Sequence, residues 1–322
     1  MKVLVTGVAG FIGMHCAQRL LARGDEVAGI DSLSPYYPVE LKRARLAKIG
    51  SAKNFTFEQA DLADAGAAER IFERTKPEAV LHLAAQPGVR YSLENPASYV
   101  QANLVGFANL LEACRGHPPR HLLYASSSSV YGDSSKLPWS EADSVDRPIS
   151  LYAATKKSNE LMAHVYSHLF ALPATGLRYF TVYGPWGRPD MSPVLFARAI
   201  MEGKPIQVFN RGEMQRDFTY VDDVVEGTLR ALDRPPAGQP PCRIFNIGNH
   251  RPVPLLDYIA ALERVLGRKA QLDMQPMQPG DVAASCADTR ALADAVGFAP
   301  STSLDVGLAR FAEWFKRYYG YA

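Results

Sequence analysis

The chain opens with a short apolar run and then reads Thr6-Gly7-Val8-Ala9-Gly10-Phe11-Ile12-Gly13, directly ahead of a segment with helical periodicity. Glycines at such a junction let the backbone turn sharply and approach a pyrophosphate, whose charge lies against free N–H groups at the positive end of the helix. The spacing is GxxGxxG, which departs from the GxGxxG of the standard dinucleotide fingerprint. The stretch predicts a dinucleotide site between the first strand and the first helix of an α/β protein.

Working outward from this stretch, the first 180 residues alternate short β-rich apolar runs with longer amphipathic segments, as βαβ units and a parallel sheet do. The predicted strands are Lys2 to Thr6, Glu26 to Asp31, Asn54 to Gln59, Ala79 to Ala84, His121 to Ser126 and Ala174 to Phe180. The predicted helices include Phe11 to Arg23, Asn103 to Arg115 and Tyr152 to Leu169. We predict an α/β fold with a Rossmann doubly wound parallel sheet.

After the sixth predicted strand the regular alternation of strands and helices ends. Loops rich in glycine and proline and mixed elements follow, up to a helix around Leu304 to Tyr318. We expect residues 1–180 to form the dinucleotide-binding domain and residues 181–322 a smaller, substrate-binding lobe. Because Phe218 to Ala231 has the pattern of a strand and a helix of the large domain, residues 207–250 are expected to return to it in part. The two parts are then interleaved.

The composition restricts the possible partners. With 47% hydrophobic and 21% charged residues the chain is globular, and its net charge of +2 is spread without the like-charge blocks of nucleic-acid arms or membrane patches. Ahead of the first strand there is no room for a signal peptide, and no stretch approaches the ~18 apolar residues of a membrane span. Four well-separated cysteines without a CxxC pair suit a reducing compartment. We expect a cytoplasmic protein with a small-molecule partner.

Asp31 ends the second predicted strand, eighteen residues after Gly13. A carboxylate at this position can accept hydrogen bonds from the adenosine ribose hydroxyls and would repel a 2′-phosphate, and no arginine adjoins it. NAD is therefore favoured over NADP. The alternative is an ordinary glycine-rich turn and a capping carboxylate. Other candidate cofactor contacts follow the third and fourth strands, and they are Asp61, Leu62, Leu83, Ala84 and Ala85.

A tyrosine and a lysine, Tyr152 and Lys156, stand four residues apart and therefore on one face of a helix. This helix follows the fifth strand, whose end carries the serines of residues 126–129, and active sites of open α/β sheets lie at such carboxyl ends. A nearby lysine and a cationic nicotinamide both favour phenolate, so we expect the pKa of Tyr152 to be lowered from about 10. Tyr152 could then act as base and acid. The alternative is an amphipathic surface helix beside a polar loop.

Several longer stretches carry a resemblance that covers nearly the whole chain. They are DSLSPYY (31–37), AQPGVRYS (85–92), SSSSVYG (126–132), SLYAATKKSNE (150–160), RYFTVYGP (178–185) and GPWGRPDM (184–191). Together with the glycine-rich loop they resemble the extended short-chain dehydrogenases/reductases that act on nucleotide sugars. Within that group the chain is most similar to the UDP-glucuronate 4-epimerases.

The resemblance implies a mechanism and a set of contacts. Tyr152 would take the proton from the sugar O4 while hydride leaves C4 for NAD⁺, Lys156 would hold the ribose, and Ser127 would hydrogen-bond the reacting oxygen. Hydride return to the other face of the 4-keto sugar would invert C4. The implied cofactor contacts are Gly7, Gly10, Phe11, Ile12, Gly13, Asp31, Asp61, Leu62, Leu83, Ala84, Ala85, Asn103, Ser126, Tyr152, Lys156 and Tyr179. The implied substrate contacts are Arg90, Ser127, Ser128, Thr181, Arg188, Gln207, Arg216 and Asp281.

The serine run bears on the choice between related chemistries. Related dehydratases carry Asp-Glu at positions 128 and 129, and related decarboxylases carry Glu at 129, whereas this chain has only hydroxyls there. Galactose-type epimerases usually have Asn at the position of Thr181. We hypothesise that Ser127, Ser128 and Thr181 hold the uronate carboxylate by hydrogen bonding. UDP-glucose/galactose-type epimerisation, UDP-glucuronate decarboxylation and a non-enzymatic NAD-binding redox sensor stay open as alternatives.

Three further interpretations concern single features. Arg90 could reach the sugar or order its own loop. His164 and His168 are spaced i, i+4 but lack the Glu of HExxH and an evident third ligand, so no metal is expected. By analogy with relatives we predict a homodimer joined through the helices Asn103 to Arg115 and Tyr152 to Leu169.

Overall fold

The computed structural model describes residues 1–278 and 280–321, and these form one large and two small sheets with helices around them. The strands are β1 Lys2–Thr6, β2 Glu26–Asp31, β3 Phe55–Gln59, β4 Ala79–His82, β5 His121–Ser127, β6 Ala174–Tyr179, β7 Thr181–Tyr183, β8 Pro205–Val208, β9 Gln215–Tyr220, β10 Cys242–Ile247, β11 Pro252–Pro254 and β12 Gln271–Met274. The α-helices are α1 Phe11–Ala22, α2 Val39–Ile49, α3 Ala67–Thr75, α4 Tyr91–Glu94, α5 Pro96–Tyr99, α6 Gly106–Gly116, α7 Leu151–Phe170, α8 Ser192–Glu202, α9 Val221–Leu232, α10 Leu255–Leu266, α11 Arg290–Val296 and α12 Leu304–Tyr319.

The large sheet is parallel throughout and has the strand order β10-β6-β5-β4-β1-β2-β3. The order reverses between β1 and β4, and in such sheets the ligand crevice lies at the carboxyl ends of the strands beside the reversal. The predicted α/β Rossmann doubly wound sheet is confirmed.

The inner strands of this sheet, such as β1 and β4, are buried on both faces because helices cover both, whereas the edge strand β3 is largely exposed. Successive side chains of a strand point to opposite faces. In β1, Val3 and Val5 pack into one core with Met14 of α1, whereas Leu4 packs into a second core with Phe107 of α6. All three β1 side chains have no exposed surface, which explains the unbroken apolar run in the sequence.

The segment before α6 differs from its prediction. The predicted helix from Asn103 begins as an α-helix only at Gly106, after the short helices α4 and α5 and a π-helical segment at Val100–Val105. Asn103 lies inside the π-helical segment, where its carbonyl oxygen accepts a hydrogen bond from Asn159 Nδ2 at 2.6 Å. A contact of this kind with a neighbouring helix competes with the helix ladder and favours the wider turn.

The chain after β6 contributes to both halves of the molecule. Its last part in the large sheet is β10, which pairs with β6 from Cys242 opposite Ala174 to Ile247 opposite Tyr179. The two small sheets, β11-β9-β7 and β12-β8, pack with α8, α10 and α12 beyond the carboxyl edge. The division into residues 1–180 and 181–322 stays a prediction. Within the described ranges, no helix has the length and apolar character that crossing a membrane requires.

Candidate functional site

The glycine-rich loop passes so close to its neighbours that side chains would not fit. Gly7 has φ +71°, and a Cβ there would lie 2.7 Å from the backbone nitrogen of Ala84. A Cβ on Gly13 would lie 2.1 Å from the carbonyl oxygen of Gly7. Helix α1 starts after Gly10, which has no side chain to cap it, so the helix N-terminus faces the crevice as an anion site. These residues fit the pyrophosphate of a dinucleotide.

Asp31 lies at the adenosine end of this crevice and is held by the loop. Its Oδ2 accepts a hydrogen bond from the Ala9 backbone N–H at 3.1 Å, and its Oδ1 accepts one from the Leu33 N–H at 2.8 Å. Lys42, which was not predicted as a site residue, also lies here: its Nζ is 3.8 Å from Asp31 Oδ1 and 4.9 Å from the ring centroid of Tyr37. Burial lowers the pKa of Lys42, and Asp31 opposes this. The only sign of this contact in the sequence is that a lysine lies on the helix that follows Asp31.

A cavity of about 560 Å³ runs along the carboxyl ends of the strands. Fifteen of the sixteen residues predicted to contact the cofactor line it: Gly7, Gly10, Phe11, Ile12, Gly13, Asp31, Asp61, Leu62, Leu83, Ala84, Ala85, Ser126, Tyr152, Lys156 and Tyr179. Asn103 does not line it and is buried. Its Oδ1 accepts a hydrogen bond from the Gln86 backbone N–H at 2.8 Å, and its Nδ2 donates to Thr155 Oγ1 at 3.0 Å. The side chain therefore orders the lining residue Gln86.

Tyr152 and Lys156 lie on the face of α7 that meets the end of β5. Lys156 is 2% exposed and donates a hydrogen bond from Nζ to the Ala125 carbonyl oxygen at 2.9 Å. Burial lowers the pKa of Lys156 to about 8. Burial also raises the pKa of Tyr152, against the smaller opposing effects of the Arg188 charge and of a hydrogen bond with Ser127. The expected lowering of the Tyr152 pKa by Lys156 is not found, because burial dominates and the opposing cation is Arg188.

A buried ion pair lies beneath the serine run. Arg178 of β6 donates from Nε and Nη2 to the two carboxylate oxygens of Glu160 on α7, at 2.8 and 2.9 Å. The two side chains are 3% and 2% exposed. Ser126 Oγ donates to Glu160 Oε1 at 2.6 Å, and Arg178 Nη1 donates to the Tyr131 hydroxyl at 3.0 Å. The pair thus fixes the start of the serine run to α7. Both residues stand in stretches quoted above, 150–160 and 178–185, but no role was predicted for either.

A second cavity, of about 890 Å³, lies between the large sheet and the small sheets. Six of the predicted substrate contacts line it: Arg90, Thr181, Arg188, Gln207, Arg216 and Asp281. Arg216 Nη2 donates to Asp281 Oδ1 at 2.7 Å, and Arg90 Nη2 lies 3.7 Å from Asp281 Oδ2. The Arg90 guanidinium stacks on the ring of Phe209 with 4.9 Å between the carbon and the centroid, a contact that the sequence did not suggest. Ser127 and Ser128 line the first cavity instead.

The two cavities share part of their wall and form one continuous crevice. The shared lining residues are Tyr36, Gly88, Val89, Thr181, Arg188 and Met191. Arg188 forms an ion pair with Asp190, with 3.1 Å between Nε and Oδ1, and the Tyr36 hydroxyl donates to Asp190 Oδ2 at 2.9 Å. A molecule that spans both cavities therefore passes Arg188, whose charge acts on Tyr152.

Among the residues that the structure describes, no three His, Cys, Asp or Glu side chains cluster as a metal site would require. His164 and His168 lie side by side on the exposed face of α7, with 6.4 Å between their ring centroids.

A doubly wound sheet with a glycine-rich anion site and a Tyr/Lys pair at its carboxyl edge defines a nucleotide-dependent short-chain dehydrogenase/reductase. The chain belongs to the NAD dependent epimerase/dehydratase family, whose sequence pattern matches residues 3–248. The predictions of this family, of an enzyme and of NAD as its cofactor are therefore confirmed.

Individual relatives resemble the chain over almost its full length. It is 47% identical to protein CapI of Staphylococcus aureus over 99% of both chains. It is 47% identical to UDP-glucuronate 4-epimerase 3 of Arabidopsis thaliana, over 99% of this chain and 77% of that protein. The solved UDP-glucuronic acid 4-epimerase of Bacillus cereus, in complex with UDP-glucuronic acid and NAD, is 36% identical with a TM-score of 0.93, over 99% of this chain and 100% of that one.

Proposed function

We propose that the protein interconverts UDP-glucuronate and UDP-galacturonate by inverting C4 of the sugar, with NAD in the first cavity and the nucleotide of the substrate in the second. The observation that carries this proposal is the meeting of the two cavities at Thr181 and Arg188, beside Tyr152 and a run of neutral hydroxyls. The relatives from Arabidopsis thaliana and Bacillus cereus carry the corresponding activity in their names.

In this mechanism Tyr152 accepts the proton of the sugar O4 and later returns it, while Ser127 hydrogen-bonds the same oxygen. Lys156, anchored to the Ala125 carbonyl oxygen, holds the nicotinamide ribose. Bound NAD supplies the hydride acceptor and donor at C4. The 4-keto sugar then turns within the crevice and is reduced on its other face, so the cofactor is regenerated in each cycle.

The choice of a uronate rests on what surrounds the sugar position. A 4-keto uronic acid is a β-keto acid that loses CO₂ readily, so the enzyme must hold the carboxylate without assisting that loss. Ser127, Ser128 and Thr181 offer neutral hydroxyls for this, and no carboxylate stands at positions 128 and 129. The decarboxylase alternative lacks its acidic residue, and the galactose-type alternative lacks its Asn at 181.

The nucleotide end is assigned to the second cavity. Arg216 and Arg90 flank Asp281, with Gln207 nearby on the same wall. An arginine fork matches the geometry of a diphosphate, so a diphosphate that binds here would share Arg216 with Asp281. Arg188 lies between this diphosphate site and the sugar position.

Incubation of the purified, NAD-loaded protein with UDP-glucuronate is expected to yield UDP-galacturonate as the only new UDP-sugar, with no CO₂ released. Ion-pair chromatography with mass detection separates the two uronates, and UDP-glucose serves as the neutral control substrate. Release of CO₂ with UDP-xylose would assign a decarboxylase, and preferred turnover of UDP-glucose a galactose-type epimerase. NAD binding without turnover of either sugar would favour the redox-sensor alternative.

We further propose a cytoplasmic homodimer joined through the helices Asn103 to Arg115 and Tyr152 to Leu169. What supports the interface is an apolar stripe on α7, where Leu161, Val165 and Leu169 follow each other at four-residue spacing and are 55%, 47% and 62% exposed. Contiguous exposed apolar surface of this kind is typical of an interface.

The double variant Leu161→Glu/Val165→Glu is expected to sediment at the chain mass of 35.3 kDa, whereas the wild type sediments at twice that mass. Two buried carboxylates in each subunit would have to be desolvated for the dimer to form. Val306→Glu is the control, because Val306 is 47% exposed on α12, away from the stripe. A wild-type protein that stays monomeric at micromolar concentration would contradict the interface.

A further inference from the structure

Arg45 of helix α2 lies behind the crevice wall: its side chain has no exposed surface, and it hydrogen-bonds Tyr37, which lines the first cavity. Its Nε and Nη2 donate to the Trp186 carbonyl oxygen at 3.1 and 2.7 Å, and Nη2 also donates to the Gly187 carbonyl oxygen at 3.2 Å. Its Nη1 donates to the Ala9 carbonyl oxygen at 3.1 Å and to the Tyr37 hydroxyl at 2.8 Å. Every N–H of the guanidinium thus has an acceptor.

Arg45 has no acidic partner within 4.0 Å among the described residues. A buried cation is costly unless its donors are satisfied, and here three backbone carbonyls and the Tyr37 hydroxyl satisfy them in place of a carboxylate. Only arginine offers five donors in a planar fork, whereas lysine offers three on a single nitrogen. The site is therefore built for an arginine.

The carbonyl acceptors come from two segments far apart in the sequence. Ala9 belongs to the glycine-rich loop, while Trp186 and Gly187 immediately precede Arg188. The second segment is also bound by α1, where His15 donates from Nε2 to the Pro185 carbonyl oxygen at 3.0 Å. Three consecutive carbonyls, at residues 185–187, are thus fixed to the dinucleotide half of the crevice.

The backbone of this second segment is held in an uncommon conformation. Trp186 has φ +65°, which residues other than glycine seldom adopt without support from their surroundings. Directly beyond it, Arg188 lines both cavities and pairs with Asp190. The backbone that leads to Arg188 is therefore held by contacts from outside its own loop, whereas Asp190 orients the side chain from within it.

We propose that Arg45 is a positioning residue that fixes the Arg188 loop to the glycine-rich loop and thereby couples dinucleotide binding to UDP-sugar binding. The identity of the second ligand rests on the proposed function. A dinucleotide that orders the glycine-rich loop holds the Ala9 carbonyl in place, and Arg45 transmits this to residues 186–188. Because coupling between two ligands is reciprocal, UDP must in turn tighten the binding of NAD.

The test compares Arg45→Met with Arg43→Met, since Arg43 lies on the same helix but is exposed. Titration calorimetry measures UDP binding to each protein saturated with NAD, and NAD binding with and without saturating UDP. Arg45→Met is expected to bind UDP about tenfold more weakly even at NAD saturation, because a charged hydrogen-bond network is lost. It is also expected to lose the tightening of NAD by UDP. Arg43→Met keeps both properties of the wild type.

Two results would overturn the proposal. If Arg45→Met weakens NAD binding but binds UDP normally at NAD saturation, Arg45 acts on the dinucleotide site alone. If both affinities match the wild type, Arg45 has no positioning role. Should Arg45→Met fail to fold, Arg45→Lys keeps a buried cation without the fork and is expected to show the same loss of UDP affinity. A lower melting temperature of Arg45→Lys with unchanged UDP affinity would reduce Arg45 to a structural residue.

The readouts are binding constants, so the proposed function and this inference can fail separately. A wild-type protein that binds NAD and UDP cooperatively but does not epimerise UDP-glucuronate would contradict the proposed function and leave the coupling standing. A wild-type protein that binds NAD but no UDP would contradict both. An active epimerase whose Arg45→Lys variant binds UDP normally would contradict the coupling alone.

Discussion

Tyr152→Phe is expected to lower kcat for UDP-glucuronate by about 10³-fold, because general acid–base help from a positioned side chain contributes roughly 10²- to 10⁴-fold. The phenyl ring keeps its edge-on contact with Tyr99, with 6.1 Å between the centroids, so the fold and NAD binding are expected to persist. Product formation by chromatography and NAD content by absorbance are the two measurements. The matched control is Tyr166→Phe, on the same helix, whose hydroxyl hydrogen-bonds Glu112 at the surface.

The pH dependence gives the same prediction a second readout. Burial raises the pKa of Tyr152, and the phenolate that accepts the O4 proton forms only as the pH rises towards that value. Wild-type kcat is therefore expected to increase with pH on its acid limb, whereas the residual activity of Tyr152→Phe should lack this limb. Turnover of Tyr152→Phe within tenfold of the wild type would remove Tyr152 from the mechanism.

Arg178→Met is expected to lower the free energy of unfolding by about 3–5 kcal/mol, because it leaves the Glu160 carboxylate buried without its partner. The double variant Arg178→Met/Glu160→Gln removes the uncompensated charge and is expected to recover part of the loss. Urea denaturation at one fixed NAD concentration measures these differences. Arg264→Met is the control, since its ion pair with Asp305 has side chains 62% and 74% exposed.

An exposed pair of that kind contributes about 1 kcal/mol or less. A loss below about 1 kcal/mol for Arg178→Met would show that the network around Glu160 is replaceable by apolar packing. A double variant that is less stable than Arg178→Met would indicate that the Ser126 hydrogen bond to Glu160, rather than the charge, provides the stability.

The parts of the molecule that the sequence predicts are those with a local signature. Short apolar runs, separated by amphipathic segments, predict the six strands up to β6. The Gly7–Gly13 stretch predicts the anion site at the N-terminus of α1, which the structure has. The carboxyl ends of parallel strands share one edge, which is why Asp31, Asp61 and Ala84 could be placed in one cavity without knowledge of the contacts.

The parts that escape prediction depend on tertiary contacts across long separations. Asn103 is drawn into a π-helical segment by neighbours that periodicity does not reveal. Arg45 and Lys42 resemble surface residues of a charged helix in the sequence, and both are buried in the structure. The placement of Arg188, rather than Lys156, as the cation that affects the Tyr152 pKa follows from a loop conformation that no local pattern specifies.

The position of β10 has a consequence for how the chain is made. Until residue 247 has left the ribosome, β6 is the outermost strand of the large sheet, and its N–H and C=O groups on that side lack their final partners. Synthesis runs from the N-terminus, so the nascent large sheet keeps an unpaired, aggregation-prone edge strand while the intervening segments emerge. The sheet is closed by a late-arriving strand, which makes the completion of the nucleotide-binding half an event of the last third of translation.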